Sequence, residues 1–109
     1  MSLPREITVH ELVQWLGREP RPTLLDVRDH DEFQWARLPG ARLIPLDELP
    51  ERLDELEALK GQPVVVYCHL GVRSLAGAEL LRELGVEATS LRGGIEAWST
   101  EIDPSVPRY

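Results

Sequence analysis

The sequence predicts an α/β fold with a central, mostly parallel five-stranded sheet flanked by helices. Three observations carry this expectation. Short apolar, β-branched segments alternate with amphipathic helical segments along the whole chain, the pattern of a parallel sheet with right-handed crossovers. One segment, Val64-Val65-Val66-Tyr67, is continuously apolar, as expected of a strand covered on both faces. The chain has 109 residues, enough for a single domain with one core. The expected domain covers 1–109, with a body at about 5–100 and an extended tail at 101–109.

Glu6-Ile7-Thr8 reads as a short first strand. Thr8-Val9-His10-Glu11 matches a capping box, with Thr8 as the cap and Glu11 reaching back to it. Val9, Leu12, Val13 and Leu16 then form one apolar stripe, and Gly17 ends that helix. Thr23 to Val27 is a second strand, mostly apolar and so central. Asp29 and Glu32 repeat the cap pattern and open a short helix through Phe33 and Trp35. After the turn Leu38-Pro39-Gly40-Ala41, Arg42-Leu43-Ile44 is a third strand. Asp47 to Lys60 reads as one charged amphipathic helix with Leu49, Leu53 and Leu56 on its apolar face. Pro50 fits there only within the first turn. The Val64–Tyr67 strand follows, then a tight loop and a helix from Ser74, with Gly77, Leu80, Leu81 and Leu84 at helical spacing and Gly85 at its stop. Glu87 to Leu91 is the last strand. Gly93-Gly94 turns into a short helix over Ile95-Glu96-Ala97-Trp98. The tail from Glu101 to Tyr109 has no period and reads as extended over the surface.

Composition narrows the function classes. A formal net charge of −7 argues against nucleic acid or an anionic membrane surface as partner. No apolar run is long enough to span a membrane, and the start does not read as a signal peptide. One cysteine excludes an internal disulfide and a multi-cysteine metal site, which fits a reducing, cytoplasmic setting. Three scattered histidines do not make a metal site, so neither metal nor cofactor is expected. Eleven of the twelve basic residues are Arg, nine residues are Pro and there is no Asn. These features fit a heat-tolerant source, although genomic base composition alone would also give the Arg bias.

The lone cysteine sits between a buried strand and a helix start, in Cys68-His69-Leu70-Gly71-Val72-Arg73. Ligands of open parallel sheets gather at the carboxyl ends of strands. A helix N-terminus is a ready anion site. Gly71 lets the loop fold tightly, with N–H groups turned inward as an anion nest. Arg73 adds a permanent positive charge. All three features favour thiolate over thiol, and the thiolate is the nucleophile. The competing reading of Cys68 is a small buried hydrophobe.

These residues resemble a family. Cys68-His69-Leu70-Gly71-Val72-Arg73 is similar to the Cys-x-x-Gly-x-Arg active-site loop of rhodanese-like sulfurtransferases. Leu25-Asp26-Val27-Arg28 with Glu32-Phe33, Leu38-Pro39-Gly40-Ala41 and Ile44-Pro45-Leu46 resembles the family's first signature, and Gly93-Gly94-Ile95-Glu96-Ala97-Trp98 its second. The match runs in order over residues 5 to 100. The tail, Asp103 to Tyr109, also resembles that of some bacterial single-domain members. The resemblance implies the rhodanese-like three-layer fold and a thiosulfate sulfurtransferase. Cys68 would take the outer sulfur of thiosulfate as a persulfide and pass it to cyanide, a thiol or a carrier protein. The N–H groups of residues 69 to 73 would hold the persulfide anion, and Arg73 the anionic donor. Related phosphatases and arsenate reductases carry one more residue between Cys and Arg, and the shorter loop here suits a single sulfur atom. Alternatives are a persulfide carrier serving a biosynthetic partner, a regulatory module that keeps only the fold, and an oxyanion reductase or phosphatase. A monomer or weak homodimer is expected.

Other residues carry less. His69 either tunes the cysteine or points to solvent. His10 and His30 read as surface or capping residues. The resemblance places Asp26 and Arg28 under the loop, where an ion pair would fix the turn as structural support. Arg37 stands where many family members have His. Trp35 and Trp98 read as core or pocket wall. Arg92 either faces the loop or is solvated, and the acidic face of Asp47–Lys60 reads as solvated.

Overall fold

The computed structural model describes residues 3–109, so the first two residues of the expected domain lie outside the described residues. Five strands form one sheet: β1 (Glu6–Ile7), β2 (Thr23–Asp26), β3 (Arg42–Leu43), β4 (Val64–Tyr67) and β5 (Ala88–Leu91). Their order is β1-β5-β4-β2-β3, and every neighbouring pair is parallel. The helices are α1 (Val9–Leu16), α2 (His30–Trp35), α3 (Leu53–Glu57), α4 (Arg73–Glu83) and α5 (Gly94–Glu101), with a 3-10 helix at Leu46–Glu51 before α3.

The apolar run of β4 dictates its place in the middle of the sheet, where all four residues are buried. Alternation along a strand then divides the core into two halves. Val64, Val66 and Cys68 pack with Leu49, Leu56, Ala78 and Leu81, beneath α4 and the Leu46–Glu57 segment. Val65 and Tyr67 pack with Leu12, Ile95 and Trp98, beneath α1 and α5. Helices, sheet and helices make three layers. No helix among the described residues is long and apolar enough to cross a membrane.

Local signals set the helix starts. Thr8 Oγ1 accepts the Glu11 N–H at 3.1 Å while Glu11 accepts the Thr8 N–H at 2.9 Å, closing the capping box of α1. Glu32 likewise accepts the Asp29 N–H at 3.0 Å at the start of α2.

Three expectations are corrected. The single helix over Asp47–Lys60 is two pieces, broken at Arg52. Pro50 lies beyond the first turn and has no N–H to continue an α ladder, so the chain closes 3-10 turns and restarts. The restart changes the face presented: Leu49 and Leu56 are buried, whereas Leu53 is exposed. Trp35 is neither core nor pocket wall but exposed, because α2 is a short surface helix that buries none of its residues. The tail does not run extended over the surface. The N–H groups of Ile102 and Asp103 both return to the Trp98 carbonyl at 2.9 Å, and Asp103 accepts the Ser105 N–H at 3.0 Å in a tight turn. Val106 is buried in the α1/α5 half of the core, and its carbonyl accepts the Ser99 hydroxyl at 2.6 Å. That reversal carries residues 107–109 back to the carboxyl end of β4.

Candidate active site

The loop Cys68–Val72 leaves the carboxyl end of β4 and enters α4 at Arg73. Cys68 is only 1 % exposed, yet its sulfur is not merely packed among apolar groups. Sγ receives the Gly71 N–H at 3.1 Å and the Ser74 N–H at 3.3 Å. The thiol also lies 3.4 Å from Ser74 Oγ, which hydrogen-bonds Ser90 Oγ at 2.7 Å, and both serines are fully buried. Polar side chains beneath a sulfur in an otherwise apolar layer are costly unless they bond one another, as these do.

Two glycines make the loop's path possible. Gly71 has φ +97°, and a Cβ there would stand 2.9 Å from the Gly93 N. Gly94 has φ +59°, and a Cβ there would come within 2.5 Å of the Cys68 and His69 carbonyl oxygens. Those carbonyls are occupied from α5: Cys68 O accepts the Ile95 N–H at 2.9 Å and His69 O the Glu96 N–H at 3.1 Å. The free amides of one helix start thereby hold the loop that opens another.

A polar network lies beside the loop. Arg28 donates Nε to Asp26 Oδ1 at 2.9 Å and Nη2 to Asp26 Oδ2 at 2.6 Å, with both side chains fully buried. Its Nη2 also reaches the Ala36 carbonyl, and its Nη1 donates to the Tyr109 hydroxyl at 2.8 Å. Burial disfavours the Arg28 charge, but the hydrogen bonds to Asp26 and Tyr109 outweigh it and hold the pKa above its ordinary value. Glu32 takes Arg73 in a fork, at 2.8 and 2.9 Å, and accepts the Tyr109 hydroxyl at 2.7 Å. Those bonds, led by Arg73, overcome partial burial and hold the Glu32 carboxyl down at about 2. Arg73 is raised in turn, chiefly by Glu32. Burial first, and the neighbouring carboxylate next among the raising influences, push the Tyr109 phenol up to about 12. The Tyr109 ring stacks on His69 with centroids 3.9 Å apart. Above the sulfur lies a depression of about 140 Å³ lined by Cys68, His69, Leu70, Val72 and Arg73. Leu70 and Val72 are exposed on its rim.

A model of the Rhodanese-like domain matches residues 8–101. The chain belongs to the rhodanese-like domain family. A rhodanese-related protein from Thermoplasma volcanium has a similar structure, with TM-score 0.82 and 31% identity, over 97% of this chain and 100% of that one. The human single domain sulfurtransferase TSTD1 aligns with TM-score 0.77 and 28% identity, over 91% of this chain and 98% of that one. The adenylyltransferase and sulfurtransferase MOCS3-1 of Zea mays is 40% identical over 92 residues, 79% of this chain. The chain spans 20% of the length of that curated relative.

Within this rhodanese-like fold, Cys68, His69, Leu70, Val72 and Arg73 line one depression, and Gly71 bonds the sulfur from behind. Asp26 and Arg28 meet in a buried pair beside them. Of the amides at residues 69 to 73, that of Gly71 donates to the sulfur; the other amide donor is Ser74, one residue beyond that range. Arg92 turns away to pair with Glu6 at 3.2 Å. Arg37 lies over the Phe33 ring at 4.6 Å. His10 and His30 sit on the surface beside Glu101 and Glu48. Among the described residues no group of three or more His, Cys, Asp or Glu is placed to hold a metal ion. Sequence reasoning missed Ser74, Ser90, Glu32 and Tyr109 as neighbours of the site. Glu32 was legible as a capping acid and as part of the first signature, and Tyr109 as the end of a tail without period; nothing in their spacing ties either to Arg73.

Proposed function

We propose that the chain is a sulfurtransferase of thiosulfate type that works through a persulfide on Cys68. The observation that carries this reading is the Cys68 sulfur at the head of β4, facing the Gly71 and Ser74 amides beneath a small depression flanked by Arg73. The Cys68 thiolate attacks the outer sulfur of thiosulfate. The S–S bond of the donor breaks, its electron pair leaves with sulfite, and Cys68 keeps the sulfur as a persulfide anion. Cyanide or a thiol then attacks that terminal sulfur, and the pair of the persulfide bond returns to Cys68 as thiolate. Backbone donors stabilise the sulfur anions without reorganising during the reaction. Arg73, a permanent cation held in a fork by Glu32, faces the sulfonate of the donor and the departing sulfite.

A thiol or a small carrier protein is the proposed acceptor in the cell. It is supported by the exposed Leu70 and Val72 on the rim, and by curated relatives whose names couple adenylyltransferase with sulfurtransferase. The reading includes a cytoplasmic site of action and a monomer or weak homodimer. Steady-state turnover of thiosulfate with cyanide tests it. Cys68→Ser is expected to lose activity by at least about a thousandfold while keeping the wild-type circular dichroism. Activity near wild type in that variant would remove Cys68, and with it the mechanism.

A further inference from the structure

The phenol of Tyr109 stands where two ion pairs meet. Arg28, itself locked to Asp26, donates Nη1 to the hydroxyl at 2.8 Å. The hydroxyl donates to Glu32 Oε2 at 2.7 Å, the same oxygen that accepts Arg73 Nη2 at 2.9 Å. The ring stacks on His69 with 11° between the planes. One side chain thus touches a residue of the cysteine loop with its ring and the partner of the loop arginine with its hydroxyl.

The tail has anchors other than these contacts. The tail is already held by buried Val106, by the Ser99 hydroxyl on the Val106 carbonyl and by the Arg108–Glu96 ion pair at 2.6 Å. Tyr109 itself is 44 % exposed, so its burial adds little to the core. What its geometry fixes is Glu32. The Asp29 N–H already holds Oε1 at 3.0 Å. The phenol adds the tie on Oε2, the oxygen that also takes Arg73 Nη2, and links it to buried Arg28, so both oxygens of the carboxylate are set.

We propose that Tyr109 is a positioning residue of this site: through Glu32 it holds the Arg73 guanidinium in one place beside Cys68, and with its ring it braces His69 as a wall for an anionic sulfur donor. The proposal rests on the sulfur-transfer reading above. An arginine delivered in one geometry loses less freedom when it takes up the donor. The reacting sulfur is held by other groups, the Gly71 and Ser74 amides. Removal of the phenol hydroxyl is therefore expected to fall on donor capture more than on the chemical step.

The test is a cycle of Tyr109→Phe and Glu32→Gln, singly and together, followed by thiosulfate kinetics. Tyr109→Phe keeps the ring and is expected to raise the thiosulfate KM about three- to tenfold with kcat within about twofold. In the Glu32→Gln background the same substitution is expected to leave KM nearly unchanged, because the group it acts through has gone. A wild-type KM in Tyr109→Phe, or a KM shift of full size in the Glu32→Gln background, overturns the proposal. A purely structural role would lower the melting temperature or the active fraction and leave KM alone. If the wild-type protein does not turn over thiosulfate, the sulfur-transfer reading fails by itself, and a second measurement decides on Tyr109. Cys68 is alkylated with iodoacetate and with iodoacetamide, and the ratio of rates reads how well the site receives an anion. The ratio is expected to fall about threefold or more in Tyr109→Phe, and an unchanged ratio overturns the proposal.

Discussion

The Asp26–Arg28 pair shows how much the site depends on single charges. Both side chains are fully buried, and Arg28 also supports the Ala36 carbonyl and the Tyr109 hydroxyl. Asp26→Asn removes one charge and strands the other in the interior. It is expected to cost roughly 3–5 kcal/mol in urea unfolding; a loss below about 1 kcal/mol would show that the pair does not hold the segment beneath the loop. Glu32 adds a pH dependence. Its carboxyl, held at about 2 by Arg73 and Tyr109, is ionised in the folded protein well below the ordinary value of 4.5. A depressed carboxyl contributes stability that is fully present above about 4.5 and is lost as pH falls towards about 2. Unfolding curves between pH 5 and 2 are therefore expected to fall less steeply for Glu32→Gln than for wild type, as an order-of-magnitude expectation from linkage. Parallel curves would show that this carboxyl carries none of the acid sensitivity. At this scale the placing of Cys68, Gly71 and Arg73 on one loop was legible, because a buried apolar strand followed by a glycine and a helix start brings them together. The sequence did not bring Glu32 and Tyr109 together, because their meeting is made by the fold alone.

At the scale of elements, turn and cap chemistry read well from local sequence. The Thr8–Glu11 box, the β4 run and the Gly93-Gly94 turn all stand where their residues predict them. The Gly94 turn has a purpose that local reading does not give: it lets the start of α5 press against the loop carbonyls. Gly94→Ala forces a side chain into φ +59° against two backbone oxygens, and is expected to destabilise by about 2–4 kcal/mol. Gly40→Ala is the matched control, with φ +78° but nothing within 4 Å, and is expected to cost only about 1 kcal/mol. Equal losses in chemical denaturation would mean that crowding at the loop is not the cause. The Asp47–Lys60 segment misled for a physical reason. Helical spacing of its leucines is compatible with either one helix or two short ones, and only the position of Pro50 separates them.

At the scale of the whole molecule, the α/β class and the parallel sheet followed from alternation, whereas strand order did not. Order depends on which crossovers bury β4 between β2 and β5, and no local pattern encodes that. The tail is the other long-range feature. Its want of period reads as an extended segment, but buried Val106 and the turn at Asp103 send it back to the site. Together these elements converge on one sulfur, and its chemistry is the claim that all else serves. Intact mass spectrometry after incubation with thiosulfate tests it most directly. The account predicts a gain of one sulfur, about 32 Da, removed by cyanide and absent in Cys68→Ser. An unchanged mass in the wild-type protein, or the same gain in Cys68→Ser, would contradict it.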